Sequence, residues 1–223
     1  MTESEWLTCT DPSPMIDFLS REGNDRPLLL AESAFCSRIA HHLTDPRSRD
    51  AVAALQRLAE RGRDSDPFPE LMPAVYAAQD ASNAFDALGE AATIEDAARV
   101  SAATAAGYVG VGGTVSVAVS CQAAADPTGD GSRERAAQAD LLREFAHPFR
   151  TSPDAAWMTP TVVALVRGII ADAAFDRLPI LADALEDAGC ADSVLLAHCR
   201  GDCPHLPGCW AVELLNHSPA TGR

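Results

Sequence analysis

A short segment near the C-terminus holds the densest group of side chains that can bind a metal. Positions 198–209 read HCRGDCPHLPGC, with the ligand spacing C-x3-C-x-H-x3-C. Zinc prefers thiolate and imidazole ligands in a tetrahedral arrangement, and glycine and proline turns allow a chain to surround such an ion. The spacing lacks the paired C-x2-C of zinc ribbons. Zinc is nevertheless the cofactor that the segment suggests, and the candidate ligands are Cys199, Cys203, His205 and Cys209.

The same segment also has an interpretation without a metal. A free cysteine often packs as a small buried hydrophobic residue. Pro204 and Pro207 permit an extended connection as readily as a tight wrap. We therefore expect at most two of the four candidate ligands to meet, with Cys209 buried beside Trp210 and Cys203 exposed.

A third interpretation is a thiol redox sensor. Cys199 and Cys203 flank Arg200, and a neighbouring guanidinium can lower the pKa of a thiol. Such a sensor needs at least one thiol that is both acidic and accessible to an oxidant.

Two further groups are weaker candidates. His41 and His42 follow Cys36 on a predicted helix, where adjacent side chains point in different directions and cannot bind one ion. Acidic residues with the spacing of a solvated helix face form the other group. They are Asp172, Asp176, Asp183, Glu186 and Asp187. The sequence has no Gly-x-Ser-x-Gly elbow, and its glycines at 107–113 miss the dinucleotide-binding pattern.

Composition excludes several classes of function. The 223 residues include 17 basic and 32 acidic ones, for a net charge of −15, which disfavours binding to phosphate backbones. All 17 basic residues are arginine. Without lysine, the chain cannot form a Schiff base, attach pyridoxal phosphate or build a Walker phosphate loop.

The sequence also indicates a compartment. The N-terminus reads MTESEW and is acidic, unlike a secretory signal, so we expect a cytoplasmic protein. Seven cysteines, an odd number, fit reduced thiols or a metal better than a disulfide framework. The uncharged run 100–125 contains no Leu, Ile or Phe, and we expect no membrane span there.

Cap signals and apolar stripes predict an all-α, bundle-like domain of about seven to nine helices. Helix starts are expected at the following residues: Thr2, Ser13, Asp45, Thr93 and Thr159. An amphipathic helix is expected between Leu28 and Leu43, and another over 175–188 with Pro179 in its first turn and Gly189 after its end. In the ambiguous segment 107–121 the alternation of valines fits a strand, but a lone strand has no partner, so we favour helix.

The loop at 126–131 is the strongest predicted connection, and 61–69 is another. The sequence therefore suggests an N-terminal helical portion over 1–126, including an alanine-rich middle, and a C-terminal helical portion over 132–217. We expect the two to form one compact unit.

Residue patterns at both ends of the chain have a known counterpart. Residues 1–50 contain WL, TDP and FCSRI, and residues 138–216 contain DLLR, PFR, TVVAL and a closing GCW. These patterns resemble a family of uncharacterised helical proteins multiplied in planctomycete bacteria. The resemblance implies one helical architecture along the chain. Because that family has no assigned activity, the resemblance transfers no catalytic residue, and Cys199 and Cys203 depart from its tail.

The sequence favours a non-enzymatic helical interaction or scaffold protein, because no nucleophile, base and oxyanion donor can be placed together. The expected partner is another protein, or a second copy of the chain, rather than nucleic acid or membrane. The alternative is a metal-dependent, hydrolase-like enzyme. In that enzyme the segment 198–209 holds zinc with one open position, and Asp202 or an acid from 183–187 acts as the base.

Overall fold

The computed structural model describes residues 1–23, 25–61, 68–86, 93–110, 113–150, 152–201 and 205–216. Within these ranges the protein is all-α, as predicted, with twelve α-helices and three 3-10 turns. The prediction of seven to nine helices is too low. It assumes ordinary helix lengths, whereas three of the twelve helices have only six or seven residues.

The helices group into two compact units, residues 1–145 and 146–223. The sequence places the division at the loop 126–131 instead. The helix after that loop belongs to the first unit because it packs against three helices of that unit.

The first unit contains eight helices. They are α1 (Glu3–Thr8), α2 (Pro12–Arg21), α3 (Arg26–Arg38), α4 (Pro46–Arg61), α5 (Phe68–Asp86), α6 (Ile94–Tyr108), α7 (Thr114–Ala125) and α8 (Ser132–Phe145). Helix α3 packs against α4, α7 and α8, and α5 packs against both α4 and α6. The fully buried Phe35 anchors α3 in this core, and Arg38 at its end forms a forked hydrogen bond with the buried Glu134 of α8.

Side-chain caps are present at four of the five helix starts that the sequence predicts. The confirmed caps are Thr2, Asp45, Thr93 and Thr159. The start expected at Ser13 is wrong. The cap is Asp11, whose side chain accepts a hydrogen bond from the backbone N–H of Ser13 at 2.9 Å. Helix α2 therefore begins at Pro12, where the missing N–H of proline costs no hydrogen bond within the helix.

The ambiguous segment 107–121 contains parts of two helices, and the valines at 115, 117 and 119 are helical as predicted. Helix α6 ends at Tyr108, and α7 begins at Thr114. Gly110 lies between them with a φ of 70°, and a Cβ there would lie 2.5 Å from a methyl carbon of Leu71. The two helices divide the uncharged run 100–125, and no helix among the described residues has both the length and the apolarity needed to cross a membrane.

The second unit contains four helices, α9 (Pro160–Asp172), α10 (Leu178–Asp187), α11 (Ser193–Cys199) and α12 (Trp210–Asn216). Pro179 lies in the first turn of α10, as predicted. Gly189 follows that helix with a φ of 87°, where it allows Cys190 N to reach the carbonyl of Leu185 at 2.9 Å. The four helices share one apolar core, whose largest fully buried members include Ile169, Leu178, Leu181, Leu185, Leu195 and Leu215.

Candidate metal centre

Three candidate ligand residues in the second unit are positioned by the end of α11, the connection after it and the start of α12. The N-terminus of α11 is fixed by Asp192, whose carboxylate accepts hydrogen bonds from two backbone N–H groups of the first turn. One and a half turns later, His198 occupies the penultimate position of the helix. His205 lies in the connection, and Gly208, with a φ of 95°, turns the chain so that Cys209 directly precedes α12.

The three side chains converge. The Sγ atom of Cys209 lies 3.2 Å from Nε2 of His198 and 4.0 Å from Nδ1 of His205. The two imidazole rings have their centroids 4.8 Å apart, and the candidate ligand atoms all lie within 4.8 Å of one another. Cys209 is fully buried, and both histidines are half-buried.

These separations can be compared with those around a zinc ion. Zn–S bonds of about 2.3 Å and Zn–N bonds of about 2.0 Å at the tetrahedral angle place sulfur and nitrogen about 3.5 Å apart. The two measured Sγ–N separations, 3.2 and 4.0 Å, lie on either side of this distance. Small side-chain rotations therefore suffice to bring one thiolate and two imidazoles around one ion.

Aromatic rings pack directly against this group. The indole of Trp210 lies 5.0 Å from the His198 ring and 4.7 Å from the His147 ring, both measured between centroids. Trp210 is 6% exposed, which confirms the prediction that it is buried at the start of the last described helix. The indole is thus placed to respond to any change at His198.

Only some of the ligands expected from the sequence belong to this group. His205 and Cys209 do, and Cys209 is buried as predicted. Cys199 is not part of the group; it is fully buried in the apolar core. Cys203 lies outside the described residues, so its exposure, and the number of expected ligands that meet, stay predictions.

His198 is a candidate ligand that the sequence did not predict. It adjoins Cys199 in the last turn of α11, where successive side chains point about 100° apart. Only one of the two can therefore face the site. The sequence feature that could have indicated His198 is its distance from the turn at Gly208, because that turn returns the chain to the end of α11.

Of the cysteines invoked for a redox sensor, Cys199 is buried and Cys203 lies outside the described residues, so the sensor stays a prediction. Arg200, expected to lower a thiol pKa, donates instead to Asp183 at 2.7 Å and to Glu186 at 3.0 Å. These hydrogen bonds lower the pKa of Glu186 below its ordinary value. In the first unit, a hydrogen bond to Cys36 together with burial raises the pKa of the Cys121 thiol, so that this sulfur is protonated at neutral pH.

The two weaker candidate groups form no metal site among the described residues. In the acidic group, the described ion pairs engage Asp172 with Arg177 and two further members with Arg200, as on a solvated face. The orientation expected for His41 and His42 is wrong. Helix α3 ends at Arg38 and a 3-10 turn follows, so the two rings lie 4.0 Å apart between centroids rather than on opposite sides of a helix.

Comparison with known proteins adds no assignment: no family model, curated protein or solved structure matches this chain. The resemblance to the planctomycete family therefore stays a prediction.

Proposed function

We propose that the second unit binds one zinc ion through His198, His205 and Cys209. The observation that carries the proposal is the approach of Cys209 Sγ to one ring nitrogen of each histidine, at 3.2 and 4.0 Å. One thiolate and two imidazoles form a ligand set that favours zinc over the hard cations magnesium and calcium, which take oxygen ligands.

We further propose that the metal serves a helical interaction or scaffold protein rather than an enzyme. A zinc hydrolase needs a base beside its metal-bound water. Two of the acids expected for that role, Asp183 and Glu186, form exposed ion pairs with Arg200. Because these acids are already paired on the surface, they support a structural rather than a catalytic role for the metal.

Elemental analysis of the full chain, purified without a metal-affinity column, tests the zinc proposal. We expect about one zinc per chain, as in a closed structural site. The variants His205→Gln and Cys209→Ser are expected to lose the metal. The matched controls are His41→Gln, an exposed histidine, and Cys9→Ser, a partly exposed cysteine of the first unit, and both are expected to keep it.

Two outcomes would contradict the proposal. A wild-type chain that retains no zinc after incubation with the ion and gel filtration has no such site. A Cys209→Ser variant that retains zinc as well as the wild type shows that the metal binds elsewhere. Fast alkylation of a thiol in the metal-free wild type would instead favour the redox sensor.

A further inference from the structure

The three proposed ligands lie on three successive pieces of the chain. His198 belongs to α11, His205 to the connection, and Cys209 to the residue directly before α12. A metal bound by all three closes the loop between the two helices and fixes the point at which α12 begins. The following inference rests on the proposed zinc site. We propose that the bound metal holds α12 in the core of the second unit and that loss of the metal releases this helix, so that the metal acts as a clasp.

Helix α12 is poorly suited to stand alone. Its described length is seven residues, and helices this short are not stable in water without tertiary packing. It packs against α9, and four of its residues are buried: Trp210, Ala211, Val212 and Leu215. The helix therefore depends on its docking into the core of the second unit.

In the described part of the connection to α12, two backbone hydrogen bonds form local turns, and the ligand group adds contacts between side chains. The backbone N–H of Gly201 donates to the carbonyl of His198 at 3.1 Å, and that of Cys209 donates to the carbonyl of Leu206 at 2.9 Å. Each of these bonds closes a single turn and does not join α11 to α12. The contact between Cys209 and His198 does join them, and it is the contact that a zinc ion would strengthen.

The rest of the unit has contacts that do not involve α12. Helix α10 packs against both α9 and α11, through the fully buried Leu181 and Leu185. Arg150 also forms a forked hydrogen bond with Asp192 at the start of α11, at 2.7 and 3.3 Å. Removal of the metal is therefore expected to affect α12 selectively and to leave α10 folded.

Hydrogen–deuterium exchange of the full-length protein, zinc-loaded and after treatment with a chelator, tests the clasp. Chelation is expected to accelerate amide exchange over 210–216 by about tenfold or more, as for local unfolding, with less than about a twofold change over 178–187. The His205→Gln variant in the presence of zinc should match the chelated wild type. The His41→Gln variant should match the loaded one.

Fluorescence of Trp210 gives an independent reading in a chain that carries Trp6→Phe and Trp157→Phe. Release of α12 moves the indole into water, so its emission is expected to shift to longer wavelength on chelation and to return with added zinc. Zinc binding with unchanged exchange in α12 would overturn the clasp while leaving the zinc site intact. Equal acceleration in α10 and α12 would also overturn it, since the metal would then support the whole unit. A chain that binds no zinc would remove the site and the clasp together.

Discussion

Replacement of Glu32 by glutamine is expected to change how the stability of the first unit depends on pH. Glu32 lies in α3 and is 3% exposed. Its carboxylate accepts a hydrogen bond from the backbone N–H of Gly110 at 2.6 Å and one from the hydroxyl of Thr114 at 2.7 Å. It therefore ties α3 to the turn between α6 and α7.

The magnitude follows from the pKa of this carboxyl group. Burial raises the pKa of Glu32 from 4.5 to about 7, and the two hydrogen bonds oppose that rise only in part. The folded state therefore binds the proton more tightly than the unfolded state does. The contribution of Glu32 to the free energy of unfolding therefore falls as pH rises from about 4.5 to about 7, by about 3 kcal/mol at about 1.4 kcal/mol per pKa unit.

Glutamine resembles the protonated acid and does not titrate. Its carbonyl oxygen can accept from the N–H of Gly110 while its amide donates to the hydroxyl of Thr114, so both contacts can survive. We expect Glu32→Gln and the wild type to have similar stability near pH 5. At pH 8 the variant should be more stable, by up to about 3 kcal/mol.

Urea unfolding between pH 5 and 8 measures this difference. Trp6, which is fully buried in the first unit, reports its unfolding when the other two tryptophans are replaced by phenylalanine. The exposed Glu22→Gln is the control for loss of one carboxylate. Parallel stability curves for Glu32→Gln and the wild type across this range would refute the reasoning.

Three other substitutions have expected effects on stability. Gly110 and Gly23 have nearly the same φ, 70° and 69°, but only at Gly110 would a Cβ meet Leu71. Gly110→Ala should therefore lower the stability in thermal unfolding more than Gly23→Ala, for which backbone strain alone costs about 1 kcal/mol. Equal losses of stability in the two variants would contradict this. Trp210→Ala should destabilise the second unit by about 3 to 5 kcal/mol in urea, whereas a variant that melts like the wild type would show that α12 is loosely attached. Asp192→Ala removes the N-cap of α11 and should lower the stability of the second unit by about 1 to 2 kcal/mol in urea. An unchanged stability would show that the cap is unimportant.

Local signals in the sequence were sufficient to predict much of the fold. A threonine or aspartate cap acts within a few residues of itself, which is why the starts at Thr93 and Thr159 were predictable. The length of each helix depends on packing partners that are distant in sequence, so the number of helices was not predictable. The contact between Glu32 and Gly110 joins residues 78 positions apart and left no local signal.

The candidate site was predictable only in part for a related reason. The spacing of cysteines and histidine indicated the segment 198–209, in which His205 and Cys209 approach each other. The choice between His198 and Cys199 depends on the rotation of α11 about its own axis, which is set by the burial of Leu195 and Cys199 in the core. No spacing rule within the segment specifies that rotation.

X-ray absorption at the zinc edge, on full-length protein loaded with one equivalent of zinc, tests the zinc site most directly. We predict a tetrahedral metal with sulfur at about 2.3 Å and two imidazole nitrogens at about 2.0 Å. The sulfur signal should decrease in Cys209→Ser and persist in Cys9→Ser. A shell of oxygen ligands without sulfur, in the wild type, would contradict the proposed site at His198, His205 and Cys209.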